Sequence, residues 1–212
     1  MWSSKSSHRT SQAISITLLL GSTNVSGAEQ AADQPVEQQL VDTLTALAHG
    51  PYAGYRANHA KGIMASGTFT PARDAARLSK AAHLHGAASK VLVRFSDGSG
   101  VPTVSDAEPH NVHGMAIRFF LPDGSYTDIV ALSVNAFPAA TPEGFLAFLK
   151  AAGASGPGVP KPTPLDTYLN THPAALKFVT SVKPSASFAT QPFYGLDAFR
   201  FTNAKGQARY GR

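Results

Sequence analysis

The chain has 212 residues, 43% hydrophobic and 15% charged, with a formal charge of +5, 18 glycines, 15 prolines and no cysteine. That balance excludes a disordered chain and fits one turn-rich domain with a real core. The missing cysteine excludes disulfides, thiolate catalysis and thiolate-held metal centres, and the scattered lysines and arginines form no basic stripe for nucleic acid.

Lys5 and Arg9 form a basic start, Ala13 to Leu20 a short apolar run, and Ser26-Gly27-Ala28 a small-residue cleavage signal. The pattern predicts a signal peptide over 1–28 and an exported, periplasmic protein. The apolar run is too short to span a bilayer, and no other segment predicts stable membrane insertion. Residues 29–34 read as a polar linker and 35–212 as one domain.

The spacing of Leu40, Val41, Leu44, Leu47 and Ala48 predicts an amphipathic helix from Pro35 to His49, stopped by Gly50-Pro51. His59 to Thr70, broken by Gly62 and Gly67, reads as an irregular or bulged strand. Leu78 to His85 reads as a short helix. Lys90–Ser96 alternates as a strand, with Val91, Val93 and Phe95 on one face and Leu92, Arg94 and Ser96 on the other. Met115–Leu121 and Thr127–Val134 read as strands around the turn Pro122-Asp123-Gly124. A helix runs from Thr141 or Pro142 to Lys150, and 153–164 is a Gly/Pro-rich loop. Asp166–Thr171 and Pro173–Val182 are short helices. Phe199–Thr202 and Gln207–Tyr210 form a hairpin around Asn203-Ala204-Lys205-Gly206. This order predicts an α+β fold with a mostly antiparallel sheet.

Arg56 and His59 lie in Arg-Ala-Asn-His-Ala-Lys-Gly at 56–62, and Arg94 and Ser96 in Val-Arg-Phe-Ser at 93–96. An arginine aimed into a sheet-lined interior needs a counter-charge. An Asp or Glu, the solvent at the rim, or a bound carboxylate such as a haem propionate would each supply one. His59 is either a surface or core histidine or an acid/base that moves a proton from one peroxide oxygen to the other. Ser96 is placed to hold the ring nitrogen that does not face peroxide.

These two motifs, with His-Gly-Met-Ala-Ile-Arg-Phe-Phe at 113–120 and the Asp-Gly and Asp-Ile-Val that follow, resemble the haem catalase superfamily over about Tyr55 to Arg212. The short exported form is similar to the catalase-related peroxidases. The resemblance implies an antiparallel β-barrel of catalase type with helical insertions. It implies haem b as cofactor, and hydrogen peroxide with a small organic reductant as substrates. It makes His59 the distal acid/base, Ser96 its orienting partner, Arg56 and Arg94 the propionate-binding arginines, and Phe145 the phenylalanine packed against the porphyrin.

Two departures carry expectations of their own. Leu132 falls where catalases carry a distal asparagine, and Asn135 reaches that position only with a loop shift, so a better peroxidase than catalase is expected. The family's Arg-x-x-x-Tyr, which supplies the axial tyrosinate, does not occur here. The tyrosines are 52, 55, 126, 168, 194 and 210. The barrel is therefore expected to be incomplete, with the axial tyrosine beyond Arg212. The rival readings are a non-enzymatic haem or small-molecule carrier, rearrangement of fatty-acid hydroperoxides, and a metal-only site at His83/His85 or His110/His113, which lacks a His-Glu-x-x-His.

Overall fold

A computed structural model describes residues 34–183, 185 and 187–212. The predicted signal peptide and all but the last residue of the predicted linker lie outside the described residues.

Helix α1 (Val36–Leu47) follows Pro35, whose fixed φ suits a helix start, and ends before His49 at φ 55°. Its Leu40 and Leu44 pack against α3 (Pro142–Gly153). Thr141 caps α3 by accepting from the Gly144 amide at 3.1 Å, with Pro142 in the first turn. Helix α4 (Pro164–Thr171) opens on a reciprocal capping box between Thr163 and Asp166. Helix α5 (Pro173–Ser181) follows at once. Phe148, Leu149 and Ala175 are the buried centre of this helical layer, and Phe178 meets Phe148 edge to face at 6.0 Å. The Tyr168 hydroxyl donates to the Gly144 carbonyl at 3.1 Å, tying α4 to α3.

Strands β1 (Gly62–Phe69), β2 (Ser89–Asp97), β3 (His113–Phe120) and β4 (Tyr126–Leu132) form one antiparallel meander in chain order. Its register aligns Gly62, Ser96, Gly114 and Leu132 in one row and Met64, Arg94, Ala116 and Val130 in the next. Because side chains alternate, both rows face the same way. The opposite face is packed around Phe119, which is 2% exposed, lies edge-on to Phe69 at 5.0 Å and meets the His83 ring at 4.6 Å, while Ile63 and Ile129 at its edges are exposed. Phe95 on that face stacks with Phe188 at 5.5 Å. The face bearing Ser96 is open, with Met64 and Val130 about two-thirds exposed.

Two expectations change, and the barrel, expected to be incomplete, is not seen closed among the described strands. The first strand pairs with β2 from Gly62 to Phe69 without a bulge. Gly62 is there because a Cβ would lie 2.5 Å from the Phe95 carbonyl oxygen and 2.8 Å from the Arg94 guanidinium. The helix read over 78–85 is two separate turns, α2 (Ala75–Leu78) and a 3-10 turn (Ala82–Leu84). Between them Ser79 is extended and its hydroxyl accepts from the Ala81 amide at 3.1 Å, which competes with the helix ladder. The described strands form an open four-stranded sheet and a separate two-stranded sheet, not a closed barrel. A barrel that side chains can fill takes about eight strands. The two-stranded sheet is β5 (Phe199–Thr202) paired with β6 (Ala208–Gly211). It docks through Lys80, whose amide donates to the Thr202 carbonyl at 2.8 Å, and an isolated bridge joins Leu132 to Tyr194.

Candidate active site

The site sits at the Ser96 end of the open face, where the loop before β1 crosses β2. His59 lies on that loop at φ 52°, in the left-handed region that non-glycine residues seldom adopt. Such a conformation costs on the order of 1–3 kcal/mol and persists only where the surroundings over-determine it. Here they do. Nδ1 of His59 lies 3.0 Å from Ser96 Oγ, and the His59 carbonyl accepts from an Arg94 Nη at 2.8 Å. The next residue, Ala60, donates its amide to the Ser99 carbonyl at 2.9 Å.

Ser96 is buried and His59 is half-buried. Burial first, then the positive charges of Arg94 and Arg56, push the His59 imidazole below its ordinary 6.5. The ring is therefore neutral at neutral pH. If Nδ1–H donates to Ser96 Oγ, Nε2 is a bare acceptor. If the Ser96 hydroxyl donates to Nδ1, Nε2–H is a donor. Nε2 has no hydrogen-bond partner among the described residues, so this pair can take up and return one proton at Nε2.

The structure brings His59, Ser96, Arg94 and Arg56 together, but Arg94 in an unexpected way. Its hydrogen-bond partner is not the Asp or Glu weighed for it but a backbone carbonyl, that of His59. Burial and the like charge of Arg56 lower its pKa. Arg56 is exposed and lines a small cavity with Tyr52, Tyr55 and Gly100. Phe145 lies elsewhere, in the helical layer. Its ring meets Phe137 at 4.9 Å and Phe148 at 6.4 Å, and it borders a cavity with Leu40, Phe137 and Leu196. Leu132 stands in the Ser96 row, two strands away, while Asn135 accepts from the Arg212 guanidinium.

Sequence reading missed Gly114. A Cβ there would lie 2.9 Å from Ser96 Oγ and 3.0 Å from His59 Cε1, so the imidazole rests directly on this glycine's backbone. The signal was present in His-Gly-Met at 113–115, where a glycine interrupts a strand pattern. Gly114→Ala is expected to push the ring off Ser96, raising the His59 titration midpoint towards 6.5. A His59 titration unchanged by Gly114→Ala would refute this packing.

An antiparallel meander with a histidine-bearing loop across its second strand, in a chain that also carries a packed layer of helices, fits a catalase-like fold. The structure of a bacterial catalase matches 94% of this chain and 38% of its own, with a TM-score of 0.61 at 23% identity. The model of the family described as Catalase matches residues 35–212, and the chain belongs to that family. A catalase-related peroxidase of Mycolicibacterium paratuberculosis is 44% identical over 178 residues, 82% of this chain and 55% of that protein. One of Synechococcus elongatus is 29% identical over 204 residues, 94% of this chain and 60% of that protein. The chain thus spans little more than half the length of these relatives.

Proposed function

We propose that this chain carries the peroxide-facing side of a haem peroxidase site, reducing hydrogen peroxide at the expense of a small organic donor. The observation that carries the reading is His59, held left-handed with Nδ1 on Ser96 and Nε2 unengaged, beside two arginines. Family membership and two relatives named catalase-related peroxidase support peroxide as the substrate class.

The residues fit the peroxide side and the carboxylate end of a haem. Gly62 and Gly114 leave no room for a Cβ under Arg94 and His59, so both groups are held against the sheet with the open face before them. Arg56 and Arg94 supply positive charge for propionates. None of the tyrosines follows an arginine at the Arg-x-x-x-Tyr spacing, so no described residue is assigned to the iron. When bound, haem supplies the redox chemistry, an iron that peroxide oxidises and a donor re-reduces. His59 takes a proton at Nε2 from one peroxide oxygen and gives it to the other, which leaves as water. Ser96 holds the ring through both halves of that transfer. Leu132 offers hydrocarbon, not an amide, on the Ser96 row, which favours donor oxidation over attack on a second peroxide. The basic, apolar and small-residue order of residues 1–28 supports export to the periplasm.

The pH profile of haem-supplied protein tests the assignment. The base must be neutral to accept a proton, and the His59 pKa lies below 6.5. Activity should therefore persist as pH falls through 6.5 and drop only at lower pH. The same shift sets a stability trend. The unfolded chain takes this proton more readily than the folded one, so stability declines as pH falls from about 6.5 to the lower folded value. An activity limb centred at or above 6.5 would take the role away from His59.

A further inference from the structure

Behind the His59–Ser96 pair, on the other face of the same strands, lies a buried polar cluster that the reading above does not use. Asp97 is 1% exposed and His113 is 2% exposed, and they pair across β2 and β3. The Asn111 amide donates to Asp97 Oδ1 at 2.6 Å, and His113 Nε2 lies 3.3 Å from the same oxygen. Asn111 Oδ1 accepts from the Gly98 amide at 2.9 Å, and Gln191 Oε1 meets His113 Nδ1 at 2.5 Å. The remaining oxygen, Asp97 Oδ2, is buried without a hydrogen bond. Burial accordingly pushes the Asp97 carboxyl up.

Lys61, two residues after His59, reaches into this cluster from the active-site loop. Its ammonium donates to the Val104 carbonyl at 2.8 Å and to the Asp106 carboxylate, and sits 3.9 Å from Asp97 Oδ2. The Asp106 hydrogen bond holds the ammonium above the usual lysine range. The Lys61 carbonyl accepts from the Asp97 amide at 3.2 Å. The loop is thus pinned twice at residue 61, by its backbone and by its side chain, directly after the left-handed turn. A buried carboxylate oxygen without a hydrogen bond is costly, and the lysine charge is the cation placed against it.

We propose that Lys61 is a positioning residue for His59: its ammonium, plugged into the socket of Val104, Asp106 and Asp97, holds the loop so that the imidazole stays on Ser96. This rests on the acid/base reading of His59. The same two strands then serve both faces. Ser96 and Gly114 seat the ring in front, while Asp97 and His113 seat the brace behind.

The test follows the His59 imidazole by NMR titration in the full chain without haem, beside thermal unfolding. The double variant Lys61→Met/Asp106→Asn removes one charge of each sign, so direct electrostatics nearly cancel. The His59 midpoint is expected to rise towards 6.5 by about half a pH unit or more as the ring loosens into solvent. Lys61→Arg keeps the charge and is expected to keep the wild-type midpoint. Should the double variant fail to fold, Asp106→Asn alone decides. Loss of its negative charge would by itself lower the His59 midpoint, whereas a loosened brace raises it. A midpoint unchanged in the double variant, or lowered in Asp106→Asn, overturns the proposal. An unmoved His59 removes the brace and leaves the acid/base reading standing. Wild-type protein that oxidises no donor removes that reading while the brace remains.

Discussion

His59→Ala is expected to lower peroxide-driven donor oxidation in haem-supplied protein by on the order of 10²-fold or more, the usual effect of removing a positioned acid/base. Nothing nearby can replace Nε2. Ser96 is buried beneath the ring and its hydroxyl engages Nδ1, on the side away from Nε2. Arg94 and Arg56 are cations and accept no proton. Alanine at a φ of 52° keeps the backbone strain and leaves the buried Ser96 hydroxyl without its imidazole partner, so stability should fall by about 1–3 kcal/mol while the chain stays folded at room temperature, where the activity is read. That separates lost chemistry from lost structure. Donor oxidation at the wild-type rate in His59→Ala would remove this residue from the mechanism.

The second large effect is on stability. Phe119→Ala should cost about 3–5 kcal/mol, the range for truncating a buried aromatic. Phe119 is 2% exposed and touches the rings of both Phe69 and His83, so its removal opens the packed face of the sheet from β1 to the 82–84 turn. At 2–4 °C per kcal/mol for a domain of this size, the thermal midpoint should fall by roughly 6–20 °C. His59 lies on the other face of the sheet, so its titration at low temperature should be preserved. A shift of only a degree or two would mean that this face is not a core.

The front of the site could be read from sequence because strand alternation puts Arg94 and Ser96 on one face and the family resemblance adds Arg56 and His59, although His59 sits on the loop before the strand at Gly62 and not in the strand read from His59. The back could not. Lys61, Asp97, Asn111, His113 and Gln191 come from separate segments, and Asp97 points away from its neighbour Ser96, so no short motif holds the cluster. His110 and His113 have the spacing of half a metal site, whereas the fold spends His113, together with Asn111, on a buried carboxylate. The partner of Arg94 was equally hidden, since a backbone carbonyl carries no sequence label. Gly62 read as a bulge because a close approach by a distant guanidinium leaves the same trace in a strand. The helix over 78–85 failed on one hydroxyl: Ser79 bonds a local amide and breaks the turn. Closure of the sheet depends on strand number, which alternation within each strand does not count.

The measurement that bears most directly on the account is peroxide consumption by the protein supplied with haem, following oxidised donor and released oxygen together against free haem at equal concentration. Consumption above free haem is expected, with donor oxidation exceeding oxygen release and both suppressed in His59→Ala. Haem binding with no turnover above free haem would contradict it and favour a carrier.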